Sequence, residues 1–176
     1  MVTNKRLEIN GPALVFITTT VLDWIPIFKN KEFAVKILKQ LDEAAGYFKA
    51  SIVGYVVMPS HIHFLLGLSD YGDLSDFMKA FKGVSSRKLK DSVIEWYGDK
   101  FTNDGKFQLW KRRFDDVIIY SENQFKTKLE YIHNNPVRAG LVSDSVDWLY
   151  SSANEWLSEK AGLIKIDKDY SWLNLG

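Results

Sequence analysis

A chain of 176 residues with 46% hydrophobic and 26% charged content reads as one folded domain over 1–176, with a core of about 12–156 and a tail at 157–176. No apolar run approaches the ~18 residues of a membrane span. Met1 to Glu8 lack the apolar segment of a signal peptide, and cysteine is absent, which excludes disulfides and thiolate metal sites and fits a cytoplasmic protein. The net charge is only +1, so nucleic-acid binding has to rest on local basic clusters, while 6 Trp, 8 Tyr and 11 Phe supply either a large core or stacking platforms.

After Gly11-Pro12 breaks a polar lead, the β-branched and aromatic run 13–21 predicts a strand. Asn30 can cap a helix over 31–48, whose Ala34, Ile37, Leu38, Leu41, Ala44, Ala45 and Phe48 follow the 3.6-residue period. Residues 50–58 predict a second strand, and Pro59-Ser60 links it tightly to a third that opens with His61-Ile62-His63-Phe64. In that third strand Ile62, Phe64, Leu66 and Leu68 share one parity and His61 and His63 the other. One face therefore enters a core, and the other presents two imidazoles roughly 7 Å apart, able to converge on one ion or one phosphate.

Asp73 can cap a helix over 74–92 with Leu74, Phe77, Met78, Phe81 and Leu89 buried. Lys79, Lys82, Ser86 and Lys90 form a stripe on it with Arg87 alongside, which taken alone reads as a solvated face, with a phosphate-tracking helix as the alternative. A turn-rich loop with Gly98 and Asn103-Asp104-Gly105 leads to a strand over 109–119, which begins with Trp110 beside Lys111, Arg112 and Arg113, basic and aromatic residues interleaved. Ser121 and Gln124 match a capping box. The helix they open is expected to end near Asn134, because Pro136 disfavours helix at the residue before it. Phe125, Leu129 and Ile132 form its apolar stripe; Gln124, Lys128, Tyr131 and Asn135 form another, which takes Tyr131 off the apolar face. Residues 143–160 read as a loop and a short helix, and 161–176 show no pattern.

Strands and helices in this order predict an α+β fold, a ferredoxin-like (RRM-like) four-stranded antiparallel sheet with helices on one face and the histidine pair on the other, open face. A two-histidine metal site needs further donors, and Asn135 can supply an oxygen. A phenol with pKa near 10 is a poor nucleophile until a neighbour such as Lys128 stabilises its anion or the group it attacks. A metal on the histidines can polarise a phosphate oxygen. The pieces together describe phosphoryl transfer by a tyrosine on DNA or RNA.

Three blocks carry a resemblance. Tyr55-Val56-Val57-Met58-Pro59-Ser60-His61-Ile62-His63-Phe64-Leu65-Leu66 resembles the His-hydrophobic-His strand of the single-tyrosine HUH transposases, and more closely that of the REP-associated tyrosine transposases. Trp110 to Asp116 is similar to their Trp-Gln-Arg segment, with Lys111 where Gln is usual. Tyr131-Ile132-His133-Asn134-Asn135-Pro136-Val137-Arg138-Ala139-Gly140-Leu141-Val142, followed by Asp147-Trp148 and Ser151-Ser152, is similar to their tyrosine helix. The resemblance spans about 12–156. It implies a Mg²⁺- or Mn²⁺-dependent single-strand DNA endonuclease and strand transferase acting on hairpins from repetitive palindromes. His61, His63 and Asn135 match the metal ligands, and Tyr131 matches the nucleophile that forms a 5′-phosphotyrosine and frees a 3′-OH. The expected DNA contacts are Lys79, Lys82, Arg87, Lys111, Arg112, Arg113, Lys128 and Arg138. Asp115-Asp116 either adds metal donors or weakens DNA binding there, and His133, two residues from Tyr131, is expected to be structural or at the surface.

Two other readings compete: a nucleic-acid-binding ferredoxin-like module without chemistry, and a metal-dependent hydrolase of small molecules. The enzyme reading requires Tyr131 to meet the histidine pair, in one chain or between two, with a monomer the expected form.

Overall fold

The computed structural model describes residues 10–169; the polar lead before Asn10 and residues 170–176 of the tail lie outside it. Strand β1 (Ala13–Thr20) is followed by two short 3₁₀ turns and by helix α1 (Lys31–Phe48), whose first turn is capped by the Asn30 side chain accepting from the Glu32 amide. Strands β2 (Ser51–Met58) and β3 (His61–Leu68) form the expected hairpin, and helix α2 (Leu74–Tyr97) runs five residues beyond the expected end because Val93 continues its buried stripe and Gly98, at φ +60°, stops it. A two-residue hairpin, β4 (Thr102–Asn103) and β5 (Lys106–Phe107), turns through Asp104 and Gly105, both at positive φ as a tight hairpin turn requires. Strand β6 (Asp115–Ile119), helix α3 (Glu122–Arg138) and the short α4 (Ala153–Leu157) complete the chain.

The main sheet is antiparallel throughout, in the order β2-β3-β1-β6, which bears out the α+β class. On one face α1 and α2 enclose the larger core. Phe64 of β3 meets Phe77 and Phe81 of α2 ring to ring, and full burial of each contributes about 2 kcal/mol. Ile164 and Ile166 of the tail also reach this core.

The other face is not open. Helix α3 lies across it and packs Phe125 and Ile132 on Leu14, Phe16, Val53, Val56, Met58 and Leu65. The single apolar stripe of α3 is what drives this second, smaller core, which the expectation of helices on one face missed.

Two boundaries also differ. Only 115–119 of the expected strand 109–119 pairs with β1. Upstream, Trp110 bridges Val21, Lys82 Nζ donates to the carbonyls of Lys111 (2.6 Å) and Arg112 (2.9 Å), and 111–114 do not pair with β1. Helix α3 continues through Pro136 to Arg138. A proline near the last turn removes one backbone bond, and the buried Pro136 ring recovers part of that loss by packing.

Candidate active site

Strand alternation sends Ile62 and Phe64 into the larger core and His61 and His63 to the α3 side. The β1–β3 register sets Thr20 opposite His61 and Thr18 opposite His63. His63 is 5% exposed, its ring stacked on Phe16 at 5.5 Å between centroids, and its Nδ1 shares a 2.7 Å hydrogen bond with the Thr18 hydroxyl. Its Nε2 is buried and has no hydrogen-bond partner. Burial, reinforced by His61 and by the Lys128 ammonium, pushes its pKa down to about 3, so the ring is neutral near pH 7 and Nε2 can carry a lone pair. Burial also lowers the pKa of His61. The two rings lean together to 4.8 Å between centroids, well inside the spacing of their backbones.

Helix α3 reaches this pair because β2 lets it approach. Gly54, beside a bulge in β2, faces Leu129, and a Cβ there would stand 2.7 Å from Leu129 Cδ1. On the same side of α3, buried His133 places Nε2 3.0 Å from Ser152 Oγ, which also accepts from the Tyr55 amide. Burial pushes the pKa of His133 down to about 4. Trp148 and Trp156 donate from their indole nitrogens to the carbonyls of Val57 and Val53. The segment after α3 thus ties the helix to β2, and His133 has a structural place.

With α3 so held, Tyr131 stands edge-on to His63, 5.3 Å between ring centroids, and to Phe16 at 5.9 Å, while remaining 36% exposed. Lys128 Nζ lies 4.6 Å from the Phe16 ring centre and 5.9 Å from that of Tyr131, and the Arg138 guanidinium lies 5.6 Å from Tyr131. The Tyr131 ring therefore has two cations close to it, Lys128 and Arg138, and the neutral His63 imidazole beside it. Asn135, half-buried, is one turn beyond Tyr131 on the same face of α3, and the continuation through Pro136 adds Arg138 to that stripe.

Three site residues escaped the sequence reading. Phe16 and Thr18 sit on β1, and their signal, shared parity with the histidines, emerges only once β1 is known to pair with β3. Trp24 lies in a connection with no period. It is 55% exposed, stands edge-on to His61 at 5.5 Å, and has Lys111 Nζ 4.6 Å from its ring centre.

The remaining expected DNA contacts separate. Lys111, Arg112 and Arg113 follow the end of β1 beside His61, the Lys111 amide donating to the Thr20 carbonyl, and Arg112 and Arg113 are exposed. Lys79 and Arg87 are exposed on α2, in the opposite layer, and Lys82 is turned onto the chain's own backbone. Burial lowers the pKa of Lys82 to about 8. Asp116 accepts from the Tyr71 hydroxyl at 2.8 Å, on the side away from the histidines, whereas Asp115 lies opposite Thr18 on the site face. Among the described residues no three His, Cys, Asp or Glu side chains converge.

Residues 21–135 match the family model described as IS200-like transposase. The chain is 26% identical over 156 residues to a Haemophilus influenzae protein whose name places it among the REP-associated tyrosine transposases, spanning 85% of this chain and 84% of that one. It is 28% identical over 116 residues to the REP-associated tyrosine transposase of Escherichia coli K12, spanning 66% and 61%. A solved structure of a REP-associated tyrosine transposase bound to a REP hairpin superposes with a TM-score of 0.71 at 19% identity over 97% of this chain and 96% of that one, a likeness of fold.

Proposed function

The chain belongs to the IS200-like transposase family, and on that premise we propose that it is a divalent-metal-dependent endonuclease and strand transferase for single-stranded hairpin DNA, with Tyr131 as nucleophile. The observation that carries the reading is the meeting of Tyr131 with His63 at 5.3 Å across two elements far apart in sequence. Tyr131 and His63 meet within one chain, which supports a monomer as the active form.

A metal ion fits the residues present. His63 Nε2 is buried and unpartnered, its ring is neutral, and its other nitrogen is held by Thr18. His61, His63 and the amide oxygen of Asn135 would hold the ion, and the two nitrogens favour Mn²⁺ over Mg²⁺. When bound, it polarises a non-bridging oxygen of the scissile phosphate. Tyr131 Oη forms the bond to phosphorus, the bond from phosphorus to the 3′-oxygen breaks, that oxygen gains a proton, and the phenolic proton is released. Lys128 and Arg138, 5.9 and 5.6 Å from the Tyr131 ring centre, offset the charge that grows on the phosphoryl oxygens. Rejoining reverses these steps with an incoming 3′-OH.

The test is incubation with single-stranded hairpin DNA and Mn²⁺, followed by denaturing electrophoresis for a covalent protein–DNA adduct. Wild type should form it, and Tyr131→Phe, His61→Ala and EDTA-treated protein should not. An adduct that survives Tyr131→Phe removes Tyr131 as the nucleophile, and indifference to both EDTA and His61→Ala removes the metal.

A further inference from the structure

We propose that Trp24, with Lys111 beside it, is a base-stacking subsite for the nucleotide immediately 5′ of the cleaved phosphate, the one that departs with the 3′-oxygen. The inference rests on the reading of Tyr131 as nucleophile. Trp24 is more than half exposed, yet it is fixed: Asp23 and Trp24 both adopt left-handed backbone at φ +52° and +58°, the Trp24 amide donates to the Val21 carbonyl, and the Leu22 amide donates to that of Leu109. Two consecutive non-glycine residues at positive φ are unfavourable, and such strain gathers where a side chain has to be aimed. Here the aim is sideways onto His61, with the Lys111 ammonium 4.6 Å from the ring centre.

The direction follows from the order of contacts. Trp24, His61, His63 and Tyr131 are successive neighbours, their ring centroids 5.5, 4.8 and 5.3 Å apart. In phosphoryl transfer the attacking and leaving oxygens lie in line on opposite sides of phosphorus. A phosphate seated at the histidine pair takes the phenol from the His63 end, so its leaving nucleotide emerges at the His61 end, where Trp24 stands. An indole face accepts any base, a purine more strongly than a pyrimidine. Lys111 and the exposed Arg112 and Arg113 continue from that point as phosphate contacts for the departing strand.

The experiment uses the full chain, Mn²⁺ and the strand captured as adduct from a hairpin pool with randomised single-stranded flanks. Trp24→Ala should form adduct on the intact strand roughly ten-fold more slowly than wild type, and Trp24→Phe should retain most of the rate. An abasic site immediately 5′ of the cleaved phosphate should slow wild type by a similar factor and Trp24→Ala no further, while one immediately 3′ should affect both proteins equally. The Mn²⁺ concentration for half-maximal rate should be unchanged in Trp24→Ala. A wild-type rate in Trp24→Ala, or an undiminished 5′ abasic penalty, overturns the subsite alone. A raised Mn²⁺ requirement makes Trp24 a support for His61 and also overturns it. No adduct with wild type overturns the nucleophile reading and the subsite together.

Discussion

Thr18→Val tests how the histidine pair is prepared for a metal. The substitution replaces a hydroxyl by a methyl at nearly constant volume and retains a β-branched residue in the middle of β1. What it removes is the 2.7 Å partner of His63 Nδ1. With the proton on Nδ1 and that bond in place, Nε2 carries the lone pair; without it, the other tautomer competes and places a proton where the ion should be. A single neutral hydrogen bond contributes about 1 kcal/mol, and loss of an outer-shell partner of a ligating histidine typically costs about 10–100-fold in metal affinity. Phe16 stacked on one side and 5% exposure leave the His63 ring little room to turn, so the effect belongs near the lower end, about ten-fold. The assay is Mn²⁺ titration of adduct formation beside hairpin binding by gel shift in EDTA. The Mn²⁺ midpoint should rise and binding should hold, and Thr18→Ser should restore the midpoint. A midpoint within two-fold of wild type, or no rescue by serine, would refute the assignment of Thr18 as the group that orients His63.

Two further outcomes follow from the way α3 is seated. Gly54→Val should lower adduct formation severely while the fold survives: the flexible end of Leu129 can yield to one methyl group but not to a branched side chain, and overpacking of this kind costs about 1–3 kcal/mol. Adduct assays paired with thermal melting measure it, and a variant with wild-type adduct rate contradicts the close approach at Gly54. Acid should destabilise the protein well above the pH at which carboxylates titrate. The unfolded chain takes up a proton on each histidine as pH falls through about 6.5, whereas buried His133 and His63 resist it down to about 4 and about 3. Stability is therefore complete above about pH 6.5 and declines toward those lower values, by about 3 kcal/mol on account of His133 alone. Urea midpoints between pH 7 and 4.5 measure the slope; a flat profile rules it out.

The secondary structure was largely legible because its periods are clean. The helix 31–48 and the hairpin of β2 and β3 stand where alternation and capping put them, and the stripe that takes Tyr131 off the apolar face of α3 is seen in its exposure beside buried Phe125 and Ile132. What stayed hidden depends on partners. The second core cannot be seen in α3 alone, since its stripe of Phe125, Leu129 and Ile132 does not say which sheet face it covers. Lys82 looks like a phosphate contact until the backbone of 111–112 is found at its tip. The extension through Pro136 reflects burial of the ring, which no local rule weighs, and it decides whether Arg138 reaches Tyr131. Trp24 had no periodic signal at all, because left-handed backbone in a short connection follows from tertiary contacts with Val21 and Leu109.

The sheet divides the molecule unequally. One side holds two long helices and most of the large buried side chains; the other holds α3 on a much smaller apolar patch, with His133 hydrogen-bonded to Ser152 beside it. Free energies of local opening follow buried contact area, so α3 can lift from the sheet at a fraction of the cost of unfolding the whole. The histidines ride on β3, which is paired on both sides, and the tyrosine on the helix that covers the smaller core. Lifting α3 would part Tyr131 from His63 while leaving the sheet and the larger core intact, and the His133–Ser152 hydrogen bond opposes that parting.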